Sequence, residues 1–141
     1  MPDRLSILIV EDESDLCWGL ETALTLDGHA VLAALNGQNG LDLAAQQHLD
    51  LAFIDAKLPD LTGEEVTRRL RVLHPTLAVV LISGFYYPED HSIVEGLELG
   101  LYQWFISKPF ALADIRAVVQ DATSKRLASG LEPGDGACLP C

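Results

Sequence analysis

Positive charge is what this chain has least of: nine Lys and Arg stand against 21 Asp and Glu, for a formal net charge of −12 at pH 7. Such a surface repels phosphate backbones and anionic lipid headgroups, so neither direct nucleic-acid binding nor membrane binding is expected; cations and basic protein patches are the favoured partners. Long apolar runs are missing too. No stretch approaches the roughly 20 residues of a membrane span, and "MPDRLSILIV" leads into an acidic cluster with no small-residue cleavage site. A soluble, cytoplasmic protein is the expectation. Cysteine is scarce: three residues are an odd count for a disulfide framework, and Cys17 falls in a helical pattern beside Leu16 and Leu20. Cys138-Leu139-Pro140-Cys141 spells C-x-x-C, but with no helix after it and no second ligand pair it reads as a pair of tail thiols.

What is present suits one globular domain: 141 residues, 49% hydrophobic and 21% charged. Leu5 to Val10 is a short continuous apolar run of the kind buried on both faces of a sheet. Glu13 to Asp27 has helical spacing and exits at Gly28. Ala30 to Ala34 reads as a strand, Asn36 to Gln47 as a weaker helix, and Leu49 to Asp55 as a third strand. Thr62 opens a capping box ahead of Val66, Leu70 and Leu73, and Pro75 forbids continuation. Leu77 to Ile82 is a fourth strand, Glu89 to Gly100 a fourth helix, Tyr102 to Ile106 an edge strand and Leu112 to Leu127 a closing helix. Strand and helix thus alternate five times, which predicts an α/β fold: a five-stranded parallel sheet, doubly wound and flavodoxin-like. From about Ser124 the chain turns to Gly and Pro, so residues 125–141 are expected to form a flexible tail.

Ligand sites in such sheets lie beyond the carboxyl ends of the strands. Those ends carry Glu11 and Asp12 on the first strand, Asp55 on the third, Ser83 with Gly84 on the fourth, and Lys108-Pro109-Phe110 after the fifth. Clustered carboxylates repel, by about 1 kcal/mol for a pair at ~4 Å in water and about 4 at an effective dielectric of 20. Hard oxygen ligands without His or Cys nearby point to Mg²⁺ as the neutralising ion. Lys108 adds a positive point charge suited to an anionic oxygen. Metal, carboxylate nucleophile, ammonium and hydroxyl are together the parts needed to accept a phosphoryl group.

Glu11-Asp12, "DAKLPDLTG" from Asp55 to Gly63, Ser83-Gly84 and "KPF" from Lys108 resemble, in that order, the receiver domain of response regulators in two-component signalling. The resemblance spans about residues 5 to 124 and implies a receiver domain over 1–124 with a (βα)5 fold; no output domain is expected after it. It implies a signalling protein, not an enzyme. Asp55 would take a phosphoryl group from a sensor histidine kinase or histidine phosphotransferase; Glu11, Asp12, Asp55 and the backbone carbonyl of Lys57 would hold Mg²⁺. Lys108 and Ser83 would contact the phosphoryl oxygens, and the Lys108-Pro109 peptide would be cis. Phe105, matched by counting back from Lys108, would be the aromatic coupled to Ser83, and the signal would leave through a downstream target protein.

Departures from the pattern matter too. By the same resemblance Phe85 and Lys57 would flank an attacking water, and the Phe85 ring is expected to prolong a phospho-aspartate. The segment from Ser83 to Lys108 is a few residues longer than usual, around Phe85 to Asp90 or after Gly100. His29, His48, His74 and His91 are scattered and read as solvated imidazoles. Asp60, Glu64 and Glu65 read as favoured by a helix dipole, and Tyr102 and Trp104 as surface or interface aromatics. A haloacid-dehalogenase-type phosphatase would want an aspartate where Lys57 stands, and a flavin phosphate would be repelled by "EDESD". The serious rival is a receiver-fold scaffold that binds a partner without phosphorylation.

Overall fold

The computed structural model describes residues 4–84 and 91–130, the side chains of 91–93 and 126–130 aside. Five β/α units follow one another: β1 (Ser6–Val10) and α1 (Ser14–Leu26), β2 (Ala30–Ala34) and α2 (Gly37–Ala44), β3 (Leu51–Asp55) and α3 (Gly63–Leu73), β4 (Ala78–Ser83) and α4 (His91–Glu98), β5 (Trp104–Ser107) and α5 (Leu112–Gly130). All strand pairs are parallel, in the order β2-β1-β3-β4-β5. This is the doubly wound α/β sheet that the alternation predicts. Because the chain goes first to one side of β1 and then to the other, the switch point lies between β1 and β3.

Strand alternation divides the core in two. Leu51 and Phe53 of β3 face the layer that holds Leu20, Leu24, Ile115 and Val119 of α1 and α5. Ala52 and Ile54 face the layer of Leu41, Val66 and Leu70 from α2 and α3. All five residues of β3 are buried, so Asp55 closes a strand that cannot shift without moving both layers. Each fully buried Leu, Ile or Phe there contributes roughly 1.5–3 kcal/mol.

Where elements end, the local chemistry explains it. Gly28, at φ +99°, closes α1 in the left-handed region that favours glycine. The α2 helix stops at Ala44 rather than Gln47, since Ala45, Gln46, Gln47 and His48 are all exposed and offer the core nothing. Continuing past Leu127, α5 reaches Gly130, because Lys125, Arg126, Leu127 and Ala128 are good helix formers and the first breaker is the glycine. No helix among the described residues is long and apolar enough to cross a membrane.

Three expectations are corrected. Tyr102 is neither a surface nor an interface aromatic: it is buried, with its ring so close to α4 that a Cβ on Gly96 would lie 2.5 Å from it, and burial pushes its phenol pKa up to about 12. Trp104 is half-buried and fastened to α5; its indole N–H donates to Asp121 Oδ2 at 3.0 Å, and Lys125 Nζ sits 5.1 Å from the ring centroid. The histidines are not simply solvated either. His29 Nδ1 accepts the Leu5 N–H at 3.1 Å, His74 Nε2 bonds the Ala44 carbonyl at 2.8 Å, and His48 pairs with Asp50 at 2.9 Å. The side chain of His91 lies outside the described residues, as do Phe85, the segment to Asp90, Cys138 and Cys141.

Candidate functional site

The site is assembled at the carboxyl rim of the sheet. Register puts Ile54 beside Val10 and Asp55 beside Ile82, so the tip of β3 stands between those of β1 and β4. Ser83 pairs with Ser107, one residue before Lys108, which brings the β5 loop alongside. Asp12, Glu13, Asp55, Lys57, Ser83, Gly84 and Lys108 line a cavity of about 500 Å³. Asp55 and Ser83 are buried at its floor, whereas Asp12 is exposed at its edge. Lys57 is exposed; its backbone N–H donates to Asp55 Oδ1 at 3.1 Å, and its bridge to Thr62 closes the loop that leaves the site.

That loop returns hard against the strand. Gly63 N–H donates to the Ala56 carbonyl at 2.9 Å, and a Cβ at Gly63 would lie 2.5 Å from the Asp55 carbonyl oxygen. Only a residue with no side chain allows α3 to start this close to the backbone of Asp55. Asp60 was expected to serve the α3 dipole, but it serves another helix. Its two carboxylate oxygens accept the N–H groups of Gly37 and Gln38, at 2.8 and 2.9 Å, across to the start of α2. Those backbone bonds hold its carboxyl below the usual range.

Charge is unevenly matched at the rim. Lys108 Nζ lies 3.1 Å from Glu11 Oε1, 3.2 Å from Glu13 Oε1 and 3.3 Å from Asp55 Oδ2. Burial alone would lower the Lys108 pKa, but its bonds to Glu11, Asp55 and Glu13 outweigh that and raise it. Glu11 is fully buried, and its pKa is pushed up to about 7, first by burial and then by the nearby Asp55 charge, against the Glu13 N–H and Lys108 that favour ionisation. One ammonium is too little for these acids.

A divalent cation would redress the balance, and the donor set fits one. Glu11, Asp12 and Asp55 each offer an oxygen within 4.8 Å of the others. Buried Glu11 Oε1 has no hydrogen-bond partner; the ammonium is at ion-pair distance from it but donates its bond to Oε2, at 3.3 Å. Carboxylate oxygens with no His or Cys among them suit Mg²⁺ or Ca²⁺ better than a transition metal.

A family model for the response regulator receiver domain matches residues 7–120. The chain belongs to that family. It is the receiver domain of a two-component response regulator, and receiver domains are signalling domains. This receiver domain is 36% identical over 116 residues to the uncharacterized transcriptional regulatory protein YkoG of Bacillus subtilis, covering 82% of this chain and 50% of that protein. To the response regulator ArlR of Staphylococcus haemolyticus it is 36% identical over 124 residues, covering 85% and 55%. It therefore spans about half the length of these relatives. Its fold matches a CheY-like receiver domain protein from Methanospirillum hungatei with a TM-score of 0.81 at 25% identity, over 89% of this chain and 98% of that one.

Residue by residue, the receiver domain gathers Glu11, Asp12, Asp55, Lys57, Ser83 and Lys108 at one cavity or directly against it. The Lys108-Pro109 peptide is cis. Phe105 lies opposite Leu81 in β5, half-buried against the core layer that includes Leu97 of α4. Glu13 is the site residue that sequence reasoning missed. Helical spacing marks it only as a helix start, and the signal for its second role is its place as a third acid directly after Glu11 and Asp12 at a strand tip.

Proposed function

We propose that this receiver domain is a phosphoacceptor switch in which Asp55 takes a phosphoryl group from a histidine kinase or histidine phosphotransferase. The observation that carries the reading is Asp55 itself: a buried carboxylate at the tip of a fully buried strand, with Lys108 Nζ 3.3 Å from Oδ2 and the Glu11 and Asp12 carboxylates beside it. In the transfer, an Asp55 oxygen forms a bond to phosphorus as the donor's N–P bond breaks and the imidazole leaves. Lys108 neutralises charge on the incoming oxygens, and Ser83, at the tip of β4, offers them a hydroxyl. Glu11, Asp12 and Asp55, with the Lys57 carbonyl, would hold Mg²⁺. When bound, that ion supplies the positive charge the clustered carboxylates lack and shields the nucleophile from an anionic donor.

Phe105 would carry the event outward: a shift of Ser83 toward the new group opens space on β5, and the ring moves with it to change the surface at α4 and β5. A target protein, rather than nucleic acid or membrane, would read that surface, given the −12 charge of the chain. The test is intact-mass measurement after incubation with Mg²⁺ and a small phosphodonor, for wild type and Asp55→Ala. One phosphoryl group on wild type and none on the variant is expected. No gain on wild type would favour a scaffold that binds its partner without phosphorylation.

A further inference from the structure

A lysine ammonium has three N–H donors, and at this rim three carboxylates claim them. Two belong to the walls of the site. Glu11 is wholly buried and Asp55 nearly so, and neither can leave. The third is different: the Glu13 side chain is 64% exposed, against 21% for Lys108, and still reaches Nζ at 3.2 Å. Its backbone is fixed, because the Glu13 N–H donates to Glu11 Oε2 at 3.1 Å.

Glu13 also stands at the N-cap of α1, extended at φ −78° and ψ 107°, and its side chain makes no capping bond. Ser, Thr, Asp or Asn would satisfy an orphan N–H there. Glutamate makes no side-chain cap and reaches instead to Lys108, beside it in the cavity wall. A residue that breaks the local rule while making a specific bond across the site marks a functional placement.

We propose that Glu13 is a resting-state tether for Lys108, an autoinhibitory contact that an incoming phosphoryl group must displace. The inference rests on Asp55 being the phosphoacceptor. Two anions then compete for one donor, and the one that yields is the more exposed, since water replaces its lost bond. Glu13, exposed and lining the cavity, also adds a negative charge that repels an anionic donor approaching Asp55. Both effects slow acceptance, and both disappear in Glu13→Gln, which keeps the length of the side chain.

The experiment uses acetyl phosphate with Mg²⁺, the Asp55 oxygen taking the phosphoryl group as the acyl O–P bond breaks and acetate leaves. Glu13→Gln is expected to accept about two to five times faster than wild type, the range an exposed ion pair is worth, and the advantage should shrink in high salt. A second reading separates a tether from a merely structural residue: in ¹⁵N-labelled protein, the Lys108 ammonium protons should exchange with water faster in Glu13→Gln. An equal or slower phosphorylation rate in the variant overturns the tether, and so does unchanged ammonium exchange. If wild type itself takes no phosphoryl group, the acceptor reading falls and the tether's role falls with it.

Discussion

Two helices begin at the rim of the site and begin in opposite ways. Thr62 caps α3, its hydroxyl accepting the Glu65 N–H at 3.1 Å, and Glu64 and Glu65 in the first turn pair with Arg68 and Arg69 at 2.9 and 2.7 Å. The hydroxyl cap, the acidic first turn and the i,i+4 ion pairs all favour a helix start there. At α1 the cap position holds Glu13, which caps nothing and reaches for Lys108. The α3 end of the rim is built for stability, and the α1 end for charge placement.

The largest effect is expected where the stable end touches the site. Gly63→Ala forces a methyl group to within 2.5 Å of the Asp55 carbonyl oxygen and 2.8 Å of Ala56 Cα, both backbone atoms that cannot rotate away. A loss of about 3 kcal/mol or more in urea unfolding is expected, toward the upper end for overpacking. A loss under about 0.5 kcal/mol would mean that α3 is not tightly docked on the site.

Next in size is the burden of Glu11. Its pKa stands at about 7 folded against 4.5 as the ordinary value, because burial and Asp55 disfavour the charge. Stability from this group is fully present below pH 4.5 and is lost as the pH rises through about 7. In EDTA, wild type should therefore lose stability from pH 5 to 8 relative to Glu11→Gln, by at most about 3 kcal/mol. Parallel pH profiles for the two proteins would show that Glu11 carries no such burden.

The smallest effect compares the two caps directly. Thr62→Ala should cost about 1 kcal/mol, whereas Glu13→Ala should stay within about 0.5 kcal/mol of wild type, since no cap is lost. Equal losses at both positions would erase the distinction between the two helix starts.

Much of this was legible in the sequence, for a physical reason. The apolar runs at Leu5–Val10, Ala30–Ala34 and Leu77–Ile82 fall at or within a residue of the observed strands, because a sheet covered on both faces needs unbroken apolar stretches. Parallel strands all end at one rim, so the polar residue after each run is placed without knowing any distance. What stayed hidden depends on neighbours distant in the chain. Asp60 serves α2, whose Gly37 N–H lies over 20 residues upstream. Tyr102 is inside because Gly96 leaves room for its ring, and Glu13 matters because Lys108 comes to it from the last strand. Periodicity reports which face a residue is on, not what lies across from it.

If the acidic rim is tolerated because a divalent cation completes it, thermal unfolding in rising Mg²⁺ must show the ion binding. A cation that binds only the folded chain stabilises it by about 1.4 kcal/mol at ten times its dissociation constant. The melting temperature is expected to climb with Mg²⁺ for wild type and to stay flat for Asp12→Asn. A wild-type melting temperature indifferent to millimolar Mg²⁺ would contradict it.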